Sequence, residues 1–579
     1  MTSDVSLQTA SITGAGPRAT RRASRMDNPT RAIFLIVGVV LVLIVIIPTI
    51  AVLASGLSAQ GLAAMGSLVT SETGRQSLWN TLQLGVLTAL IGTAAGFCLA
   101  YAEVRMRFFG RRAVHALALL PIVSPPFAVA TAVIALFGRN GLITNGIFGL
   151  NVSIYGLPGL LIVMSLAFSP IAYLTIRGML QSLDPSMDEA GADLGASQGR
   201  ILRTVTLPLV APGLAGAFLF LFMEAISDLA DPLVIGGDYT VITTNLYRSI
   251  VGQSNPAVGA AYSIALLIPA LTVFVLQHYW VSRKSIVTVT GKPTGTPRPV
   301  TSLAIRIPVL TVVFTVLALT VAVYATIVFG SFVQILGVNN TFTLQNYLGL
   351  GIGQAQRSLV ITSVLAVIAA PISGVLAILL AWLIVRRLGR RLGPVVDFVG
   401  MLGVAIPGIV IGLGYALAFS KPFELFGLRI LPPLSGNNAP FAGAIAVLMV
   451  FVLVSLPVGQ RTGIATISQI HVAIEEAAVS LGDSSVGTFR RITLPLLRPA
   501  FVAGLSYSVA RAMTVVTPIL FIVTPGTPVI ASQILAEVDS GRFGNAFAYC
   551  TTLIVLILVF LGIINLVLRR MVPTERSLT

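Results

Sequence analysis

Apolar residues run along this chain in long unbroken blocks, separated by short polar intervals. A crossing of the bilayer core takes about 20 mostly apolar residues. Twelve blocks reach that size, near residues 33–55, 78–101, 113–137, 158–176, 210–234, 258–281, 304–330, 358–385, 396–420, 441–459, 499–523 and 545–568. Strands of a membrane barrel would instead show alternating segments of ~10 residues. The pattern therefore predicts an all-α integral membrane protein with about twelve transmembrane helices.

Two polar intervals stand out, DEAGADLGASQGRILRTVTLPLVAP at residues 188–212 and EEAAVSLGDSSVGTFRRITLPLLRP at residues 475–499. In register they pair Glu189 with Glu476, Ala190 with Ala477, Gly195 with Gly482, Leu207 with Leu494, Pro208 with Pro495 and Pro212 with Pro499, each 287 residues apart. Upstream, the stretches from Thr81 and from Ser358 match in pattern and end in basic loops, and Pro125 and Pro407 interrupt the next helix of each half. The chain is thus an internal duplication. Six spans per half return the chain to its starting side, so the halves run parallel and should be related by a pseudo-twofold axis along the membrane normal.

The organisation expected is a tail (1–31), a first repeat (32–282) with its polar loop at 180–208, a linker (283–303), a second repeat (304–570) with its loop at 468–495, and a short tail (571–579). The linker is rich in Thr, Pro and Gly without hydrophobic periodicity. The first tail has the Ser, Thr, Arg and Gly content of a disordered segment. Five arginines before the first block resemble a signal-peptide flank, but the block is longer than an h-region and no clear cleavage site follows, so it reads as an uncleaved first helix.

Each polar interval opens with an acidic helix-forming run, passes a glycine, and resumes as a short basic stretch before Leu-Pro. This predicts a helix-turn-helix outside the bilayer, with the proline ending the second helix and turning the chain into the next span. The spacing E-A-A-x3-G-x9-I-x-L-P resembles the signature loop of binding-protein-dependent ABC importer permeases. Glu476, Ala477, Ala478, Gly482, Ile492, Leu494 and Pro495 fit it in full, and the first copy departs at Gly191 and Val205. Duplication with six spans per half is similar to the fused permeases of the ferric-iron branch, as is the stretch ADPLVIGGDYTVITTNLY from Ala230. The resemblance implies that both loops are coupling helices docked on an ATP-binding cassette ATPase, in two copies, and that a periplasmic binding protein delivers the solute. Ferric iron leads as that solute; thiamine, aminophosphonates and polyamines stay open.

Composition agrees: 56% hydrophobic residues, 10% charged residues and a mean hydropathy of +0.95 belong in a bilayer. The net charge of +16 points to orientation rather than nucleic acid. Alternate loops, including both termini and both polar intervals, hold 28 Lys or Arg, and the opposite loops hold 7. The positive-inside rule places the richer set in the cytoplasm, facing anionic lipid, in a bacterial inner membrane. None of the three lysines lies in a phosphate-binding G-x-x-x-x-G-K-[ST] loop. ATP and magnesium are therefore expected on a partner, and the chain is read as a transport permease without cofactor, metal or catalytic residues of its own. Cys98 and Cys550, and His115, His278 and His471, are expected to pack rather than ligate.

Charge inside the blocks is rarer and more informative. Glu224, Asp228 and Asp231 occur in the fifth block at spacings of 4 and 3, which would place them on one helical face. Glu224 should lie deep in the core and must face protein or water. The repeat offset places Arg511 opposite it, so the four residues are candidates for a gating ion pair or a pathway lining. A gradient-driven carrier would also show repeats and intramembrane acids, but has no use for paired docking loops.

Overall fold

The computed structural model describes residues 27–125, 127–277, 299–425 and 428–571. Nine helices in it are long and apolar enough to cross a membrane: Asn28–Gly56, Glu72–Arg105, Leu157–Ser182, Gln198–Ser227, Pro256–Leu276, Leu303–Ser331, Gly353–Arg387, Pro440–Gln469 and Phe543–Val567. Three bent pairs complete the twelve blocks: Arg111–Val123 with Ala128–Phe137, Leu392–Ala405 with Gly408–Phe419, and Ser485–Leu496 with Arg498–Thr514. The strands described form two small antiparallel hairpins, Val333–Ile335 with Asn339–Phe342 and Phe423–Leu425 with Leu428–Leu431. The all-α expectation holds.

The bends in the third and ninth blocks, 109° and 102°, sit at matching prolines. A residue before proline is driven out of the helical region. Ser124 before Pro125 accordingly has φ −70° and ψ 133°, and Ile406 before Pro407 has φ −89° and ψ 128°. The two arms of the ninth block, 14 and 12 residues, measure roughly 21 and 18 Å at 1.5 Å per residue. Neither alone spans a core of about 30 Å.

In the first half, contacts place the two ends of the bent path at opposite ends of the bundle. Arg105 precedes the third block and bonds Asp188 of the first polar loop, whereas Gly156, beyond that block, donates its N–H to Ile235 at the far end of the fifth span (2.9 Å). Arg386 and Glu475 repeat the near-side contact in the second half. The starts of the first and seventh spans lie on that same face: Val300 donates to the Arg105 carbonyl (2.8 Å), and the first span touches the helix Ser485–Thr488.

In each half the second span packs most extensively on the fourth. Close approach requires small residues. A Cβ on Gly96 would lie 2.6 Å from the Ala172 Cβ; in the second half the same crossing puts Gly459 against Ala377 (2.8 Å), with the glycine on the other helix. The first spans are exchanged in part between halves, each also packing within its own half, on Pro256–Leu276 and on Phe543–Met571 respectively. Asn28–Gly56 packs on Gly408–Phe419, where the Tyr415 hydroxyl donates to the Ile44 carbonyl (2.8 Å), and Leu303–Ser331 packs on Glu72–Arg105 and Ala128–Phe137.

Two expectations need correction. Pro208 does not end the second helix of its loop: Gln198–Ser227 continues through it, preceded by a π-helical turn at Leu202–Thr206. Widening the turn makes room for a ring that cannot donate a hydrogen bond. The second half has the equivalent turn at Phe489–Thr493 and there bends by 72° after Leu496. The fifth span also stops at Ser227, with Asp228 extended (φ −73°, ψ 136°) and a separate helix at Ala230–Ile235. Glu224, Asp228 and Asp231 therefore do not share one helical face. His278, both tails save residues 27–31 and 571, and linker residues 283–298 lie outside the described residues.

Candidate coupling surface

The two polar loops fold alike because the same local instructions occur in both. Asp184 caps the first helix, Pro185–Asp193, accepting the Ser186 N–H at 3.0 Å, and His471 caps Val472–Ser480, accepting the Ala473 N–H at 3.3 Å. Hydrogen bonding from the Ser186 backbone holds the Asp184 carboxyl below its ordinary range. Both helices end on a left-handed glycine, Gly195 at φ +78° and Gly482 at φ +92°. The next N–H turns back to the helix, Ala196 to Gly191 (3.0 Å) and Asp483 to Ala478 (3.1 Å), which satisfies a terminal carbonyl. Ser197 and Ser484 then cap the following helices, Gln198–Ile201 and Ser485–Thr488.

Glu189, Ala190, Glu476 and Ala477 are exposed, and Ala478 is buried. Gly195 and Gly482 are exposed at the turns; Leu207, Ile492 and Pro495 are half-buried, and Pro208 and Leu494 exposed. Neither Glu189 nor Glu476 has an ion-pair partner among the described residues. At the apex, Leu194 and Leu481 are 89% and 90% exposed, again at matching positions.

The acid one place earlier in each loop has the opposite environment. Glu475 is 7% exposed, accepts from Arg386 Nε at 2.9 Å and from Thr493 Oγ1 at 3.3 Å, and Arg386 also donates to the carbonyls of Ile467 (3.0 Å) and Ile470 (2.7 Å). Asp188 pairs likewise with buried Arg105. Sequence reasoning misses these anchors, although Asp188 and Glu475 share the 287-residue offset and each arginine ends the second span of its half.

A second tie joins the third block to the fourth span. His115 Nδ1 lies 2.6 Å from the Tyr173 hydroxyl, which donates to Glu103, and Arg177 Nε donates to the same carboxylate at 2.9 Å. In the second half Gln460 Nε2 donates to Asp397 Oδ1 at 2.8 Å. His115 is thus part of a polar network as well as packed.

Deeper in the bundle, Asp228 Oδ2 accepts the Asp231 N–H at 3.0 Å and so starts the short helix after the break. Asp231 is buried. Glu224 is half-buried and within electrostatic reach of Asp228 and Arg511, yet no Glu224–Arg511 ion pair forms within 4.0 Å. The Arg511 Nε is buried without a hydrogen-bond partner among the described residues. No group of three or more His, Cys, Asp or Glu among the described residues could hold a metal ion.

The family described as binding-protein-dependent transport system inner membrane component matches residues 90–286 and again 373–573. The chain belongs to this family. Each match contains one complete helix-turn-helix loop, so the chain is a fused, duplicated ABC importer permease. It is 34% identical over 500 residues to the ferric transport system permease protein FbpB of Actinobacillus pleuropneumoniae, covering 83% of this chain and 69% of that one. A putative FbpB 1 of Haemophilus influenzae is 34% identical over 78% of this chain and 70% of its own. The spermidine/putrescine permease PotC of Escherichia coli is 26% identical over 36% of this chain and 76% of its own. A crystal structure of a bacterial ABC transporter that imports alginate aligns with 44% of this chain and 96% of its own, at 20% identity and a TM-score of 0.38.

Proposed function

We propose that this permease forms the complete solute pathway of an ATP-driven ferric-iron importer in a bacterial inner membrane. Both termini and both loops face the cytoplasm, two ATPase subunits dock on residues 180–208 and 468–495, and a periplasmic binding protein delivers the iron. The observation that carries the reading is the matched pair of loops on one face, each with an exposed glutamate and an exposed apical leucine above a buried anchor. A rigid projecting element is what transmits nucleotide-driven motion into a bundle. ATP and magnesium belong to the ATPase. The ferric assignment draws on the two FbpB relatives.

Glu224, Asp228 and Asp231, with Arg511, line or gate the path. Charges of this kind inside a membrane bundle face water or partners, because lipid would penalise them. An alternating-access pathway needs only transient ligands, so the lack of a ready metal cluster among the described residues is compatible with iron as cargo.

The test is uptake by proteoliposomes holding the permease, its ATPase and its binding protein, with ferric iron, thiamine, an aminophosphonate and spermidine offered separately. ATP-dependent accumulation of iron alone supports the assignment. Accumulation of another solute overturns the iron reading and leaves the permease reading intact; uptake driven by an ion gradient without ATP overturns both. Orientation is read from cysteine labelling, with Ser484→Cys reacting only from the ATPase side and Arg429→Cys only from the other.

A further inference from the structure

At the end of the fifth span opposite the coupling loop, the chain folds back as Ala230–Ile235, a loop, and Ile242–Tyr247. These elements and Tyr155 line an open cavity of about 150 Å3, with Tyr155 and Arg248 exposed at its mouth. A single trapped water requires about 10–15 Å3 on the same measure, so the space admits a small ligand. Its polar lining consists of Tyr155, Tyr239, Thr240, Thr244 and Arg248.

The wall is held in place before any ligand arrives. The Tyr239 hydroxyl donates to the Asn80 carbonyl (2.9 Å) and lies 3.1 Å from Gln83 Oε1, Asn80 Nδ2 donates to the Thr240 carbonyl (2.9 Å), and the Thr244 hydroxyl donates to the Val241 carbonyl (2.8 Å). Gly237, at φ +55°, lets the loop pass close to Tyr155, where a Cβ would lie 3.2 Å from the tyrosine Cβ. What remains uncommitted is a set of donors. The hydroxyls of Tyr155 and Thr240 and the guanidinium of Arg248 have no hydrogen-bond or ion-pair partner among the described residues. No carboxylate lines the cavity; Asp238 is exposed in the same loop, outside the wall.

The second half does not repeat the cation. Ile242 and Ile530 are equivalent, each donating its N–H at 2.9 Å to a threonine of its own half, Thr81 or Thr362, which aligns Arg248 with Ala536. The matching rim is stitched shut by Thr524 and Thr527, whose hydroxyls donate to the carbonyls of Ala442 (2.7 Å) and Phe441 (3.0 Å). A cation, in one half only, and two free hydroxyls around a preformed cavity go beyond what the duplicated bundle needs for packing.

We propose that this cavity binds a carboxylate, presented by a small free acid or by an Asp or Glu side chain of a docking protein. The guanidinium fork matches two carboxylate oxygens, and the hydroxyls can donate to the remaining lone pairs. A metal cation would be repelled by Arg248, so the site is distinct from the route proposed for iron. The protein-borne source rests on the binding-protein reading above; the free-acid source does not.

The full chain in lipid nanodiscs is titrated calorimetrically with citrate and with acetate, at ionic strength matched by chloride. A saturable site, weakened at least tenfold in Arg248→Gln, partly retained in Arg248→Lys and unchanged in Arg139→Gln, establishes a free-acid ligand. In the second arm, the nanodiscs capture the binding protein that stimulates ATP hydrolysis in the reconstituted importer. A tenfold loss of that capture in Arg248→Gln, with no citrate or acetate site in the wild type, assigns the carboxylate to the docking protein. If Arg248→Gln changes neither titration nor capture, the proposal is overturned. If no binding protein stimulates hydrolysis, the importer reading fails and the citrate and acetate titrations alone decide the site. Arg248 is exposed, and an unchanged melting temperature confirms that the variants fold.

Discussion

Arg386 bonds Glu475 at 2.9 Å and, through Nη2, the carbonyls of Ile467 and Ile470, so one guanidinium joins the foot of the eighth span, the end of the tenth and the coupling helix. In the first half Arg105 pairs with Asp188 and ties the second span to its coupling helix. A push on the second coupling helix is thereby delivered to two spans, and one on the first to the second span, rather than absorbed in a slack loop.

Breaking one partner of this buried pair leaves the other charge unsatisfied. Glu475→Gln should lower the stability of the purified permease by about 3–5 kcal/mol, read as a drop in melting temperature. Combining Glu475→Leu with Arg386→Met should restore much of the loss while leaving transport uncoupled from ATP hydrolysis. Strictly additive losses in the double-mutant cycle would show that the pair carries no coupling.

Charge reversal at Glu476, and less severely at Glu189, should abolish ATP-driven uptake without reducing the amount of permease in the membrane. Both side chains are exposed and make no internal ion pair among the described residues, so folding does not depend on them. Uptake and membrane abundance are measured together. A parallel collapse of both would make the loops structural and remove their assigned role.

The caps should differ in their response to acid. Hydrogen bonding to the Ser186 N–H depresses the Asp184 carboxyl, so its contribution is present above the ordinary aspartate value and is lost as pH falls through the lower folded value. Hydrogen exchange at Pro185–Asp193 should therefore accelerate on acidification in the wild type. In Asp184→Asn, which keeps a capping oxygen, the acid-dependent part should vanish. Equal acceleration in both would detach the effect from the cap.

Glu224 and Arg511 form no ion pair within 4.0 Å among the described residues, so their double-mutant coupling should be smaller than that of Arg386 with Glu475, paired at 2.9 Å. Glu224→Gln and Arg511→Gln should act nearly independently on melting temperature, and Glu224→Gln should lower uptake more than stability. A coupling as large as that of the anchor would mean that the two pair directly in the populated state.

How far the sequence reaches is clear from particular residues. The proline breaks at Pro125 and Pro407 are legible because a missing N–H acts within one turn. The loop glycines are legible because their left-handed turns recur at a fixed offset. Glu475 and Glu476 look interchangeable in the sequence, yet adjacent helical residues point about 100° apart, and only the docked position of the helix decides which one turns inward. The break at Asp228 is harder still. Its proline lies four residues on: Pro232 has no N–H to offer the Asp228 carbonyl and its ring would clash there, while the Asp228 side chain captures the Asp231 N–H to start the next helix. The unequal outer rims are invisible to a repeat argument, which looks for what the halves share.

The exchange of first spans sets a timetable for the chain's own assembly. Ile44 waits for Tyr415, 371 residues later. At about 5–20 residues per second of synthesis that is roughly 20 to 75 s. During that interval the first helix stands in the bilayer with Pro256–Leu276 beside it but the rest of its partner surface unmade, and lipid must cover that side as a temporary neighbour. Joining both halves in one polypeptide means that the awaited surface always arrives on the same ribosome, in equal amount and at a fixed delay.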